Sequence, residues 1–219
     1  MTTTETIATR VGSMLRSTAG QLPPEALAAF GAEQAGLAAA GLPAGIAAVG
    51  TPVPDAGLLD VDGRPTTLAD ARAGRPAVIV FYRGAWCPYC NVALRAYQAD
   101  LLPALAERGI GLIAVSPQRP DGSLSAREAN ELTFSVLSDP GNQLSRALGI
   151  LTRPGADALA AQRTLGLDLT EVNADGTAEL PMPTVTVVAG DGTLRWIDVH
   201  PDYSTRTEVA DILAAVGTL

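Results

Sequence analysis

Two hydrophobic patterns alternate along the chain. Ala77-Val-Ile-Val-Phe-Tyr82 and Gly111-Leu-Ile-Ala-Val-Ser116 are continuous apolar runs of strand length, the mark of strands covered on both faces. Between them Leu94, Tyr97, Leu101 and Leu105 recur at steps of three and four. That spacing is one face of a helix of about five turns from Pro88 to Arg108, ended by Gly109. Residues 77–116 therefore predict a strand–helix–strand unit with parallel strands and a right-handed crossover.

The alternation continues with a helix at Ser125–Leu132, a short strand at Ser135–Ser138 and a helix at Asn142–Leu148. Thr184–Ala189 and Thr193–Val199, joined at Asp191-Gly192, predict an antiparallel hairpin. Val209, Ile212, Leu213 and Val216 mark a closing helix. An earlier hairpin is expected where Ala56–Asp60 and Pro65–Leu68 flank Asp62-Gly63. Residues 155–181 carry no legible period.

Ahead of these elements, Ile7, Val11, Met14 and Leu15 recur at helix spacing, and Pro23-Pro24 opens a second stretch with Leu27, Phe30, Gln34 and Leu37. Residues 5–40 thus predict two amphipathic helices packed on the core, with an arm joining a homodimer as the alternative use. The Gly-, Pro- and Ala-rich passage Gly41–Pro54 leads into the main domain. The expected division is a helical extension, 1–44, and a domain, 45–219.

Composition narrows the chemistry. With 219 residues, 47% of them hydrophobic and 17% charged, one globular domain with some elaboration is expected. All 15 basic residues are arginine, which excludes a Schiff-base lysine or a phosphate-loop lysine. The one histidine, His200, cannot build a two-histidine metal site, and its place at a strand end suits a surface or hydrogen-bonded residue. A net charge of −8 without a basic stretch argues against nucleic acid or an anionic membrane as partner. The N-terminus has no charged region followed by a long apolar core, so neither export nor membrane spanning is expected. Two cysteines three apart fit a reactive dithiol in a cytoplasmic protein better than a disulfide scaffold.

Those cysteines lie in Phe81-Tyr-Arg-Gly-Ala-Trp-Cys-Pro-Tyr-Cys90, where a buried strand turns into a helix. Cys87 falls at the N-cap and Pro88 at the first helical position. Free backbone N–H groups and the positive helix end should favour a thiolate, so the Cys87 pKa is expected to be depressed. Cys90, almost a turn further and less exposed, is expected as the resolving thiol. Arg83 would add a fixed positive charge near the thiolate and bind an oxyanion. The competing readings are half of an intermolecular metal site and a pair of inert buried cysteines.

Trp86-Cys-Pro-Tyr-Cys90 after an apolar strand resembles the active-site segment of the thioredoxin superfamily, and Cys-Pro-Tyr-Cys is a glutaredoxin-like setting. Gly50-Thr-Pro-Val-Pro-Asp55, Phe81-Tyr-Arg-Gly-Ala-Trp86, Val115-Ser-Pro-Gln118, Asp139-Pro-Gly-Asn142 and His200-Pro-Asp-Tyr203 are similar to the peroxiredoxin-like proteins of the alkyl hydroperoxide reductase and thiol-specific antioxidant family. The resemblance spans residues 45–216. It implies an α/β thioredoxin fold, three layers α/β/α around a mixed central sheet, here with an N-terminal helical extension and β-hairpin. It also implies a cis-proline loop facing the dithiol. Pro183 matches that position, with Pro181 its rival, and Met182 would then offer its backbone to an extended substrate next to Thr184. Trp86 and Tyr89 are expected to shape the rim around the sulfur.

The implied activity is reduction of hydrogen peroxide or organic hydroperoxides through a Cys87–Cys90 dithiol/disulfide cycle. A thioredoxin-like protein or a small thiol would restore the pair, and no metal, flavin or nucleotide cofactor is needed. One departure stands out. The family signature carries a proline seven residues and a Thr or Ser three residues before the peroxidatic cysteine; counted back from Cys87, those places hold Val80 and Gly84. Two alternatives therefore stay open: a thioredoxin- or glutaredoxin-like disulfide reductase, and a non-catalytic redox sensor.

Overall fold

The computed structural model describes residues 5–219. Three parallel strands form the centre: β3 (Ala77–Phe81), β4 (Gly111–Ser116) and β5 (Ser135–Ser138). On one side β8 (Thr184–Val188) pairs antiparallel with β3, and β9 (Leu194–Val199) with β8. On the other, the hairpin β1 (Gly57–Leu59) and β2 (Pro65–Thr67) attaches antiparallel to β5. The result is a mixed seven-stranded sheet in the order β2-β1-β5-β4-β3-β8-β9. A separate two-stranded ribbon joins β6 (Leu151–Thr152) to β7 (Leu180–Pro181).

The apolar run of β3 is buried throughout because its alternate residues feed two cores. Val78, Val80 and Tyr82 face one core, packed by α1 (Ile7–Ser17), α4 (Pro88–Ala96), α5 (Leu102–Ala106), α6 (Pro120–Ala129) and α10 (Val209–Val216). Ala77, Ile79 and Phe81 face the other, closed by α3 (Leu68–Arg72) and α7 (Gln143–Ala147). This is the expected three-layer thioredoxin fold.

The helix expected over 88–108 forms as α4 and α5 joined by a π turn at Tyr97–Leu101. Pro103 explains the widened turn: it has no N–H to donate, and its ring would press on the Ala99 carbonyl in a regular α-helix. The Ser125–Leu132 expectation shifts toward the N-terminus, to Pro120–Ala129. Pro120 starts that helix, and Glu131 at φ 51° ends it. Asp139 starts α7 by accepting from the Gln143 and Leu144 amides, each at 2.9 Å.

Residues 155–181 hold α8 (Ala156–Thr164), α9 (Leu169–Val172) and β7. Both N-terminal helices form. Ile7 and Val11 of α1 are buried in the main core, and α2 (Pro24–Ala40) lies along α8. Among the described residues no helix is long and apolar enough to cross a membrane.

Candidate active site

The segment between β3 and α4 is pinned by side chains of other elements. Gln118 accepts from the Ala85 amide at 2.6 Å and Asn91 donates to the Ala85 carbonyl at 2.8 Å. Gly84 takes φ 154°, and a Cβ there would meet the Trp86 indole and lie 2.9 Å from the Gln118 side chain. A Thr or Ser at position 84 therefore has no room. Cys87 is the N-cap of α4 with Pro88 following, as expected, and its carbonyl accepts from the Cys90 and Asn91 amides.

The electrostatics run opposite to the expectation for Cys87. Its sulfur accepts no backbone N–H, so the helix start does not stabilise a thiolate there. Both cysteines are reduced and only 1% exposed. The two thiols are neighbours, and the ionisation of each depends on the other. Burial pushes the Cys87 thiol well above its ordinary range, and Cys90 beside it adds to that rise. Burial acts on Cys90 in the same sense, but the Cys87 S–H, Arg206 and the Arg83 backbone N–H overcome it and hold Cys90 well below the ordinary range. These directions, and the shorter contact of Arg206 with Cys90 than with Cys87, favour Cys90 as the more acidic thiol of the pair.

Arg206 is the neighbour that decides this. Its Nη2 lies 3.0 Å from Cys90 Sγ and 3.7 Å from Cys87 Sγ. Desolvation weakens the charged guanidinium, yet Cys90, Cys87 and Tyr97 together more than compensate and raise its pKa. A cavity of about 10 Å³, lined by Cys90, Arg206, Pro183 and Thr184 among others, adjoins this contact. It is about the size of one water molecule. Cys87 does not line it.

The other sequence candidates divide. Arg83 is buried, its guanidinium over the Tyr203 ring at 3.8 Å and the Trp86 ring at 5.2 Å; its charge lowers the Cys87 pKa without offsetting the burial that raises it. Tyr89 sits on the rim, its ring 6.4 Å from that of Tyr203. Pro183 is trans, since no peptide bond among the described residues is cis, which corrects the expected cis-proline loop. Its carbonyl accepts from the His200 amide at 2.9 Å, extending the β8–β9 ladder by a step. The Met182 amide is engaged, donating to the Ile150 carbonyl at 2.8 Å, while its carbonyl accepts from the Thr184 hydroxyl at 2.9 Å and keeps a second lone pair.

Arg206 was invisible to sequence reasoning. It is one of 15 arginines and lies 116 residues after Cys90, delivered by the return of the chain from β9. The quoted segment His200-Pro-Asp-Tyr203, three residues short of it, was the available signal.

A buried dithiol at the start of α4, facing a guanidinium across the end of a mixed sheet, defines a thioredoxin-fold protein with a cysteine pair of unequal acidity. Residues 49–197 match the model of the AhpC/TSA family, and the chain belongs to that family. A Mycobacterium tuberculosis protein named Putative peroxiredoxin Rv2521 is 35% identical over 92 residues, covering 42% of this chain and 57% of that one. The thiol-disulfide oxidoreductase ResA of Geobacillus thermodenitrificans is 32% identical over 104 residues, 47% of this chain and 58% of that one. The chain thus spans a little over half the length of these curated relatives. Among solved structures, reduced Prx3 of Vibrio vulnificus in complex with H2O2 superposes with a TM-score of 0.63 at 19% identity, covering 78% of this chain and 99% of that one. Peroxidoxin BcpB of Mycobacterium tuberculosis gives 0.59, also at 19%, over 78% and 97%. At these identities the likeness shows the fold.

Proposed function

We propose that this protein is a dithiol peroxidase in which Cys90 attacks the peroxide and Cys87 resolves it, the reverse of the order expected from the helix start. The observation that carries the reading is Arg206 Nη2 at 3.0 Å from Cys90 Sγ, beside a water-sized cavity that Cys90 lines and Cys87 does not. Counted from Cys90, the signature's two places hold neither its hydroxyl residue nor its proline, but one of them holds the second thiol. Three residues earlier stands Cys87, whose S–H donates where the signature has a hydroxyl, and seven residues earlier stands Arg83 in place of proline.

In this reading the Cys90 thiolate attacks the nearer peroxide oxygen; an S–O bond forms, the O–O bond breaks, and the leaving alkoxide or hydroxide takes the proton of Cys87. Cys90 is then a sulfenic acid and Cys87 a thiolate. Cys87 attacks Cys90, the disulfide forms, and hydroxide leaves to become water with a proton from solvent. An external dithiol, a thioredoxin-like protein or small thiol of the reducing cytoplasm, returns two electrons and two protons. Arg206 serves twice, holding the attacking sulfur ionised and facing the charge that develops on the leaving oxygen.

Stopped-flow mixing of reduced protein with hydrogen peroxide tests the activity. Oxidation far faster than that of a free thiol is expected; a free-thiol rate overturns it. The second reading, a disulfide reductase, is favoured by the Cys-x-x-Cys pair at a helix start and by the match to ResA. The engaged Met182 amide weighs against it. Reduction of insulin disulfides at a rate exceeding the peroxide reaction would install it instead.

A further inference from the structure

Arg206 lies between two threonines, and both are tied to one acid–histidine pair at the end of β9. His200 Nε2 lies 2.9 Å from Asp198 Oδ2. Thr207 Oγ1 donates to the same carboxylate oxygen at 2.8 Å and is 3.3 Å from His200 Nε2. On the other flank, His200 Nδ1 is 2.7 Å from Thr205 Oγ1. Behind the hook, the buried Tyr97 hydroxyl donates to the Thr207 carbonyl at 2.7 Å. Arg206 Nη1 turns back to the carbonyls of Tyr203 and Thr205, at 2.6 and 2.5 Å, and Nη2 is the nitrogen aimed at the sulfurs.

An arginine free in solution must lose rotamer entropy before it holds a sulfur. Here backbone and neighbours have already fixed it, so its charge meets the thiolate without reorganisation. The hydrogen bond from His200 is the main cause holding the Asp198 carboxyl below its ordinary range, with Thr207 adding to it against partial burial. Asp198 and His200 hydrogen-bond neither sulfur; Asp198 lies on the outermost strand and His200 just past its end.

We infer that the Asp198–His200 pair, acting through Thr205 and Thr207, is a clamp that sets Arg206 on Cys90, which makes Asp198, His200 and Thr207 positioning residues of the peroxide reaction. The inference rests on the reading that Arg206 holds the reacting thiolate. It gives the chain's one histidine a task at a distance from the chemistry.

The test uses Thr207→Val, which keeps the shape and removes the hydroxyl, Thr207→Ser, which keeps the hydroxyl, and Asp198→Asn. Two quantities are read on the reduced full chain: the pH midpoint of thiolate absorbance near 240 nm, and the rate constant for oxidation by hydrogen peroxide. Thermal melting checks that each variant is folded. Thr207→Val and Asp198→Asn are expected to raise the midpoint by about one pH unit and slow oxidation about tenfold; Thr207→Ser restores both. Folded Thr207→Val with the wild-type midpoint overturns the clamp. Should that variant not fold, Thr205→Val, at an exposed hydroxyl, is read in the same way. The titration needs no substrate, so the two readings fail separately. A slow wild type with a shifted Thr207→Val midpoint removes the peroxidase and leaves the clamp; a fast wild type with an unshifted midpoint removes the clamp alone.

Discussion

At the scale of single residues, the active site is a contest between burial and one guanidinium. Burial at 1% exposure works against ionisation of both thiols, and it pushes the Cys87 thiol up. The Cys90 thiol is held well below its ordinary range because the neighbouring Cys87 thiol and then Arg206 together outweigh the loss of water. Arg206→Met keeps most of the volume and removes the charge. It is expected to raise the Cys90 midpoint and to slow peroxide oxidation by about 100-fold, the scale of losing one pre-placed electrostatic partner; stopped-flow rates across pH check both. The sign follows from the depressed Cys90 pKa: the wild-type rate should hold as pH falls from 9 through neutrality and drop only when pH passes below that folded-state value. Gly84 is a second single-residue test. Gly84→Ala forces φ 154° on a residue with a Cβ and drives that Cβ into Trp86 and Gln118. A stability loss of about 1–3 kcal/mol is expected from denaturant unfolding.

At the scale of elements, the sheet was legible in the sequence wherever a strand is covered on both faces, because burial forces an unbroken apolar run. β3 and β4 fall within a residue of their expected limits for that reason. Residues 155–181 were not, since α9 has four residues and β7 two. Such pieces are too short to show a period and are held by side chains: Asn173 Nδ2 donates to the carbonyls of Thr177 and Glu179 at 2.8 and 3.0 Å. The site was half legible. Proline and the strand-to-helix turn located the dithiol, but which sulfur is the more acidic depends on Arg206, a tertiary contact that no local pattern encodes.

The N-terminal helix shows the same division. Its apolar spacing was readable, whereas part of its capping, beyond the Thr6 side chain, comes from the far end of the chain, where the Glu208 carboxylate accepts from the Ile7 and Ala8 amides at 2.8 and 2.9 Å. Glu208→Gln weakens that cap and removes a charge favourable at a helix N-terminus. A loss of about 1 kcal/mol and faster amide exchange in α1 are expected, with exchange in β3 lagging behind.

At the scale of the whole molecule, the reacting pair is enclosed. Tyr203 lies over Arg83, its hydroxyl reaches the Phe30 carbonyl of α2 at 3.5 Å, and Glu33 of α2 accepts from the Gly155 amide at 3.1 Å. A small oxidant needs little space beside Cys90, but a bulky thiol reagent must wait for an opening. The reduced protein is therefore expected to react with a bulky aromatic disulfide about 100-fold more slowly than the unfolded chain, the factor set by an opening that costs about 3 kcal/mol. Equal rates would mean that the enclosure is open in solution.

The central claim is that Cys90 is the sulfur that meets the peroxide. Cys87→Ser and Cys90→Ser, each reduced, mixed with one equivalent of hydrogen peroxide and trapped with a sulfenic-acid reagent, test it directly by mass spectrometry. The Cys87→Ser chain should carry the trapped adduct on Cys90, and Cys90→Ser should remain unmodified on the same timescale. An adduct on Cys87 of Cys90→Ser, with none on Cys87→Ser, would contradict the account and restore the order that the helix start suggests.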